Sequence, residues 1–374
     1  MNAAPIPFVD LAAQTAEVGA TIQQSWHEIL RASSFINGPA VKAFESAYAD
    51  FVGVEHCVGV SNGTDALELA MRAAGIGSGD EVILPTNSFV ATAGSILRIG
   101  AKPVFVDCDP RYYLIDAEHV AARVTDRTRA IVPVHLYGQM ADMQPLEQIV
   151  GLRDDLCLIE DAAQAHGARQ GGRSAGAIGI AGATSFYPGK NLGAYGDGGA
   201  VLTNREDVAH RVHLMRDHGS DRKYVHESIG WNCRLDSLQA AVLSAKLERL
   251  QTWNEARRAA ACRYDKMLEG LEQVVTPATL EGNEHVWHLY VVQVPARDQV
   301  LAALEQAGIG AGIHYPIPIH LQPAFADTSS APGSFPVAEA AAQRIVSLPI
   351  HPHVTADQQE RVVSTLAQAL EQFA

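Results

Sequence analysis

The sequence predicts an α/β fold, with a mostly parallel central sheet, helices on both faces, and a smaller C-terminal α+β domain. Three observations predict it. Short apolar runs such as Glu81-Val82-Ile83-Leu84-Pro85 and Pro103-Val104-Phe105-Val106-Asp107 alternate with helical spacing, as in strands buried on both faces. A long helical run from Leu235 to about Leu271 places Leu235, Leu238, Val242, Leu243, Leu247 and Leu250 as in a helix joining two domains. Beyond it the βα alternation gives way to one strand, a Pro-broken extended stretch and further helices. The expected division is a large domain over 1–250, with an N-terminal arm, and a small one over 251–374. A chain of 374 residues is long enough for both.

In chain order, Met1 to Pro7 reads as a loose arm, and Leu11 to Arg31 as a helix with Val18, Ile22, Trp26 and Ile29-Leu30 on one side. Asn37-Gly38-Pro39 breaks the chain before a helix over Val41 to Phe51. Cys57-Val58-Gly59-Val60 is a strand, and Ser61-Asn62-Gly63-Thr64-Asp65 turns it into a helix ending near Ala74. Glu81–Pro85 is a strand, Ala91 to Arg98 a helix, and Pro103–Asp107 and Ala130–His135 are strands. Pro145 to Leu152 is a helix, and Cys157-Leu158-Ile159-Glu160-Asp161 a strand ending in two acids. A hairpin follows, from Thr184 through Lys190 to Ala200–Thr203, then a helix from Glu206 to Arg216 and an irregular polar stretch from Asp217 to Arg234. In the tail, His288–Val294 is a strand, Asp298 to Ala307 a helix ended by Gly308, and Gly312–His320 is extended. Helices are expected over Val337 to Ile345 and Ala356 to Phe373, the last with Thr355 and Gln358 as a capping box.

Hydrophobic residues make up 47% and charged residues 19%, as in an ordinary globular chain. The formal net charge of −14 argues against a general nucleic-acid or anionic-membrane surface. Five scattered cysteines form no CxxC pair, so no metal site is expected, and a reducing, cytoplasmic setting is. Neither a basic-then-apolar leader nor an apolar run of membrane-span length is visible.

Chemistry concentrates at the carboxyl ends of strands, where open α/β sheets bind ligands. Lys190 lies in an apolar, glycine-rich hairpin after Pro188-Gly189. It reads either as a surface lysine at a turn or as a desolvated amine poised to form a Schiff base. The Ser61–Leu67 turn offers free backbone N–H groups at a helix start, suited to a phosphate or simply capped by Asn62 or Thr64. Asp161 is placed for a protonated ring nitrogen or for a helix cap. An imine-forming lysine, an acid for the pyridine nitrogen, phosphate donors and a ring-covering side chain are what pyridoxal phosphate requires of a protein.

Four motifs carry a resemblance: Ser61–Leu67, Glu160-Asp161-Ala162-Ala163-Gln164-Ala165-His166-Gly167-Ala168, Ser185-Phe186-Tyr187-Pro188-Gly189-Lys190-Asn191-Leu192-Gly193 and Gly230-Trp231-Asn232-Cys233-Arg234-Leu235-Asp236. Together, and in this order, they resemble the DegT/DnrJ/StrS nucleotide-sugar aminotransferases from about residue 6 to the C-terminus. The resemblance implies a PLP-dependent aminotransferase of fold type I, with the cofactor in the large domain and Lys190 as the catalytic amine. It implies Asp161 at the pyridine nitrogen, Gln164 at the ring hydroxyl, Gly63, Thr64 and Ser185 at the phosphate, and Phe89 on the ring. It further implies Asn232 reaching the phosphate from a neighbouring subunit of a homodimer, and L-glutamate as amino donor. Simpler alternatives are core packing for Phe89 and Tyr187, backbone contacts for His166 and a structural role for Glu160. Tyr187, His314 and Tyr315 are candidate substrate contacts, and Arg222, Lys223, Arg234 and His320 candidate partners of a diphosphate at the pocket mouth. The His314-Tyr315-Pro316-Ile317-Pro318 segment is most similar to that of enzymes aminating C-3 of dTDP-3-keto-6-deoxyhexoses, with C-4 amination and UDP-3-keto uronates as alternatives. A related dehydratase class carries histidine in place of the lysine, which Lys190 disfavours, and a PLP-binding regulator is a further alternative. An amino-acid aminotransferase of the ordinary kind is disfavoured by the lack of an arginine between Arg297 and Arg344.

Overall fold

A computed structural model of the chain describes residues 4–328 and 330–373. Helix α1 (Leu11–Ala32) starts where Asp10 Oδ1 accepts a hydrogen bond from the Ala13 N–H at 2.9 Å, and ends at Ser33 in the left-handed region. Helix α2 (Pro39–Val52) has proline in its first turn and stops at Gly53, with φ of +84°. Strand β1 (His56–Val60) runs into α3 (Gly63–Ala73), which is capped by Asn62 Oδ1 on the Asp65 N–H at 2.9 Å. Then come β2 (Glu81–Pro85), α4 (Val90–Arg98), β3 (Lys102–Val106), α5 (Ala117–Arg123), β4 (Thr128–Ile131), α6 (Met143–Val150) and β5 (Cys157–Asp161). A small hairpin of β6 (Arg169–Gln170) and β7 (Arg173–Ser174) precedes β8 (Ala181–Ser185), β9 (Gly199–Thr203) and α7 (Glu206–Arg216).

These strands build a seven-stranded sheet in the order β1-β9-β8-β5-β4-β2-β3. Only β9 runs against its neighbours, so the other six present their carboxyl ends at one edge. Strands β2 and β9 are buried at every residue, the burial that their continuous apolar runs require.

Beyond the sheet, β10 (Ser220–Arg222) and β11 (Val225–His226) form an exposed hairpin inside the stretch expected to be irregular. Helix α8 (Ser237–Leu268) is followed by β12 (Asn283–Glu284), β13 (Tyr290–Gln293), α9 (Arg297–Gln306), α10 (Pro336–Ala342), β14 (Ile345–Leu348) and α11 (Ala356–Phe373). The last third has its own core, in which Ala260 and Tyr264 of α8 pack with Val292, Leu304, Val346 and Leu366. No helix of the described residues is long and apolar enough to cross a membrane.

Three expectations change. The helix over 337–345 ends at Ala342, because Ile345–Leu348 pairs antiparallel with β13 as β14. The strand over 130–135 becomes β4 (Thr128–Ile131) and an irregular continuation, since Pro133 has no N–H to donate. That continuation still lies against β5, with Asp161 N–H donating to Pro133 O and His135 N–H to Asp161 O. The arm is anchored where it is described: Ile6 is buried and exchanges hydrogen bonds with Gly308 O and the Gly310 N–H, while residues 1–3 lie outside the described residues.

The capping box forms as expected, with the Thr355 N–H on Gln358 Oε1 at 3.0 Å and the Gln358 N–H on Thr355 Oγ1 at 3.2 Å. Thr355→Ala removes one of these bonds and is expected to cost about 1 kcal/mol, read as a lower denaturation midpoint.

Candidate active site

Asp161 is the last residue of β5 and only 6% exposed. Its Oδ2 accepts from Thr92 Oγ1 at 2.8 Å and its Oδ1 from the Ala163 N–H at 3.2 Å. Burial raises its pKa above the usual carboxyl range, against the pull of those two donors and of Lys190. Lys190 follows β8 in a turn closed by its own N–H on Tyr187 O at 2.9 Å. Among the described residues its amine has no hydrogen-bond partner. Desolvation pushes its pKa down to about 8 although Asp161 pulls the other way. Lys190 is only partly buried, yet its amine makes no bond and lies in the field of Asp161, which favours the desolvated amine over the surface lysine.

Gln164 is held at both ends: its Oε1 accepts from the Tyr137 N–H at 2.7 Å, and its Nε2 donates to the Tyr315 hydroxyl at 3.0 Å. Tyr137 has φ of +60°, a strained conformation for a residue with a side chain. It is fixed there by Gln164, by the Leu289 N–H on its carbonyl, and by its hydroxyl on His314 O. Phe89 is 51% exposed at the start of α4 and its ring lies 5.5 Å from that of Tyr315. Gly63 lies against Ser185 so closely that a Cβ on it would come within 2.5 Å of Ser185 Cβ. Gly63 and Thr64 open α3, so their N–H groups have no partner within the helix.

His166 donates from Nε2 to Ser185 O at 3.0 Å, which leaves Nδ1 a buried acceptor without a partner. Burial, and then the charge of Lys190, pushes its pKa down to about 3, so it is neutral. His314 likewise falls to about 4 through burial and Lys190; its Nδ1 pairs with Ser347 Oγ at 2.8 Å and its ring stacks on Phe8. Glu160 is wholly buried and takes four donors: His135 Nε2 and the N–H groups of Gly176, Ile178 and Gly179. The geometry gives it the structural role.

The structure thus brings together Lys190, Asp161, Gln164, Tyr315 and Phe89 at one sheet edge, with Gly63, Thr64 and Ser185 beside them. Tyr187, 60% exposed, lies in the Lys190 turn. His320 is corrected: it is 2% exposed, with Nδ1 on Thr86 Oγ1 at 2.7 Å and Nε2 on Glu339 at 3.1 Å, so it is no open cation at a pocket mouth. Arg234 is paired with Asp217. Arg222 and Lys223 lie on the exposed β10–β11 hairpin, and Asn232 is exposed beside Asp217; none bonds to the Lys190 cluster within one chain. Thr92, Tyr137 and His288 have no role assigned from the sequence, and Asn191 stands there only as a member of the Lys190 motif. A threonine or a tyrosine has no periodicity that marks it, and only long-range contacts tie Thr92 to Asp161, Tyr137 to Gln164 and His288 to Asn191.

A model of the "DegT/DnrJ/EryC1/StrS aminotransferase family" matches residues 16–367. The chain belongs to this family. It is therefore an aminotransferase, with the fold of the PLP-dependent aminotransferases. A "Pleiotropic regulatory protein" of Geobacillus stearothermophilus is 46% identical over 99% of this chain and 100% of its own length. A "dTDP-3-amino-3,4,6-trideoxy-alpha-D-glucose transaminase" of Streptomyces venezuelae is 43% identical over 96% and 95%. Further relatives carry the names of UDP-sugar aminotransferases. A crystal structure of S. venezuelae DesV in complex with a ketimine intermediate superposes with a TM-score of 0.96, covers 100% of both chains and is 42% identical.

The residues present fit the family's cofactor. An unpartnered amine, a buried carboxylate and a glycine against Ser185 where no Cβ fits meet what such a group requires, and the partnerless His166 Nδ1 lies buried in the same region. Among the described residues no cluster of histidine, cysteine and carboxylate side chains has metal-site spacing.

Proposed function

We propose that this protein transfers an amino group from L-glutamate to the C-3 keto carbon of a nucleotide-linked 6-deoxy keto-sugar, with pyridoxal 5′-phosphate as cofactor. The observation that carries the reading is the unpartnered Lys190 amine, held near a pKa of about 8, with the buried Asp161 carboxylate in its field. The cofactor supplies an aldehyde that takes up amines and a ring that accepts electrons. Lys190 would bind the aldehyde and, once free, carry the proton between the amine-bearing carbon of the substrate and the carbon of the cofactor. Asp161 would hold a proton at the ring nitrogen, its Oδ2 being kept in place by Thr92. Gln164, fixed by Tyr137 and Tyr315, would meet the ring hydroxyl, and Phe89 the ring face. Gly63, Thr64 and Ser185 would take the phosphate at the start of α3.

Tyr187, His314 and Tyr315 are the proposed contacts of the sugar. The choice of C-3 and of dTDP rests on the His314–Pro318 segment and on the name of the Streptomyces relative. We further propose a homodimer in which Asn232 and Arg222 serve the partner's site. Tyr224 and Ile229, 84% and 86% exposed on and beside the hairpin, support a covered surface there. Five free thiols accord with a cytoplasmic setting.

The test is a panel of 3-keto and 4-keto sugars, each dTDP- and UDP-linked, supplied to the purified protein with glutamate. Amination of the dTDP-linked 3-keto sugars is the expected result. Turnover of 4-keto sugars alone would move the reaction to C-4, and turnover of UDP-linked substrates alone would move the nucleotide. Cofactor binding without turnover of any member would overturn the proposed sugar substrate.

A further inference from the structure

We infer that Asn191, with Asn254 behind it, is a positioning residue for the Lys190 amine. The inference rests on Lys190 being the reactive amine. Asn191 follows Lys190 directly, is 2% exposed, and has every side-chain hydrogen bond determined. Its Nδ2 donates to the Val286 carbonyl at 2.9 Å and to Asn254 Oδ1 at 3.0 Å. A carbonyl only accepts, so the amide has one orientation, and its Oδ1 faces His288 Nδ1 at 3.2 Å. His288 must then donate from Nδ1, which leaves its Nε2 unprotonated. Burial, and next the charge of Lys190, holds that imidazole neutral.

Asn254, on α8 and 1% exposed, is oriented by the same logic. Its Oδ1 accepts from Asn191 and its Nδ2 donates to His166 O at 2.8 Å. His166 donates onward to Ser185 O. Gly167, with φ of +87°, is crowded: a Cβ there would lie 3.0 Å from Asn254 Nδ2 and 3.2 Å from the Phe51 ring. One chain of hydrogen bonds thus ties α8 to the loop that follows Asp161 at the end of β5 and to the loop after β8 that carries Lys190. Lys190 has no side-chain bond of its own among the described residues, so the anchor that sets its amine is its neighbour. Lys190 is only partly buried, so with Asn191 truncated the turn loosens, more water reaches the amine, and its pKa returns toward the ordinary value.

The experiment uses the full-length, cofactor-free protein. Acetic anhydride pulses across a pH series label Lys190, and mass spectrometry of its peptide gives the midpoint. Wild type is expected near pH 8. Asn191→Ala and Asn254→Ala are each expected to raise the midpoint by about one unit, and the double variant by no more than either single, because the two act as one unit. In the loaded enzyme kcat is expected to fall roughly tenfold with KM changed less than about threefold, as when orientation rather than binding is lost. A wild-type midpoint near that of ordinary lysine would sink the reading of Lys190 itself. A low wild-type midpoint that stays put in folded variants, with only their melting temperature reduced, overturns the inference alone. Variants that never yield folded protein overturn it too, since the pair is then a core element and no more.

Discussion

Lys190→Ala is expected to lower kcat on the order of 10⁴-fold while leaving the fold intact. At pH 7.5 an ordinary lysine holds about one amine in a thousand unprotonated. With a midpoint near 8, Lys190 holds about one in four. No other described lysine combines that availability with the field of Asp161. Lys246, the other lysine lowered to about 8, donates to Gly193 O instead. Stability moves the opposite way. A lysine whose folded pKa lies below its unfolded value has its full burial penalty below pH 8, and the folded state gains as pH rises toward about 10.4. The alanine variant removes the penalty, so its melting temperature at pH 7 is expected to equal or exceed that of wild type. Steady-state rates, visible absorption of the bound cofactor and melting curves check the three statements. A variant retaining full transamination would end the assignment.

Glu160→Ala is expected to act on the fold instead, lowering stability by about 3–5 kcal/mol. The side chain is wholly buried beside Asp161, and its loss leaves the His135 Nε2–H and the N–H groups of Gly176, Ile178 and Gly179 without an acceptor. Glu160→Gln keeps one oxygen and turns an NH2 group toward two donors, so an intermediate loss is expected. The pH dependence follows from the direction of the shift. Burial raises the Glu160 pKa, but His135 and the backbone donors outweigh it, and the folded value lies below the ordinary 4.5. The contribution is therefore complete above about pH 4.5 and lost as pH falls through the folded pKa. Denaturant midpoints between pH 3 and 7 are expected to fall in acid for wild type and to stay flatter for Glu160→Gln. A wild-type-like midpoint for Glu160→Ala at pH 7 would remove this account.

What could be read from the sequence alone has a common physical basis. Strands β2 and β5, helix α7, the cap of α3 and the box at Thr355–Gln358 depend on neighbours within a few residues, and local spacing records them. The glycine at 63 and the lysine after Pro188-Gly189 are equally local, because backbone geometry and the cost of burying an amine act at the residue itself. Only the tertiary structure decided the rest. Ile345–Leu348 became a strand because β13 lay open to pair with it. His320 left the pocket because Thr86 and Glu339 took both its nitrogens. Asp161 acquired Thr92, Lys190 acquired the Asn191–Asn254 anchor, and Gln164 acquired Tyr137 and Tyr315 across separations of up to 151 residues. Hydrogen bonds of that range are set by where the sheet and α8 deliver each side chain, and no window of sequence contains both partners.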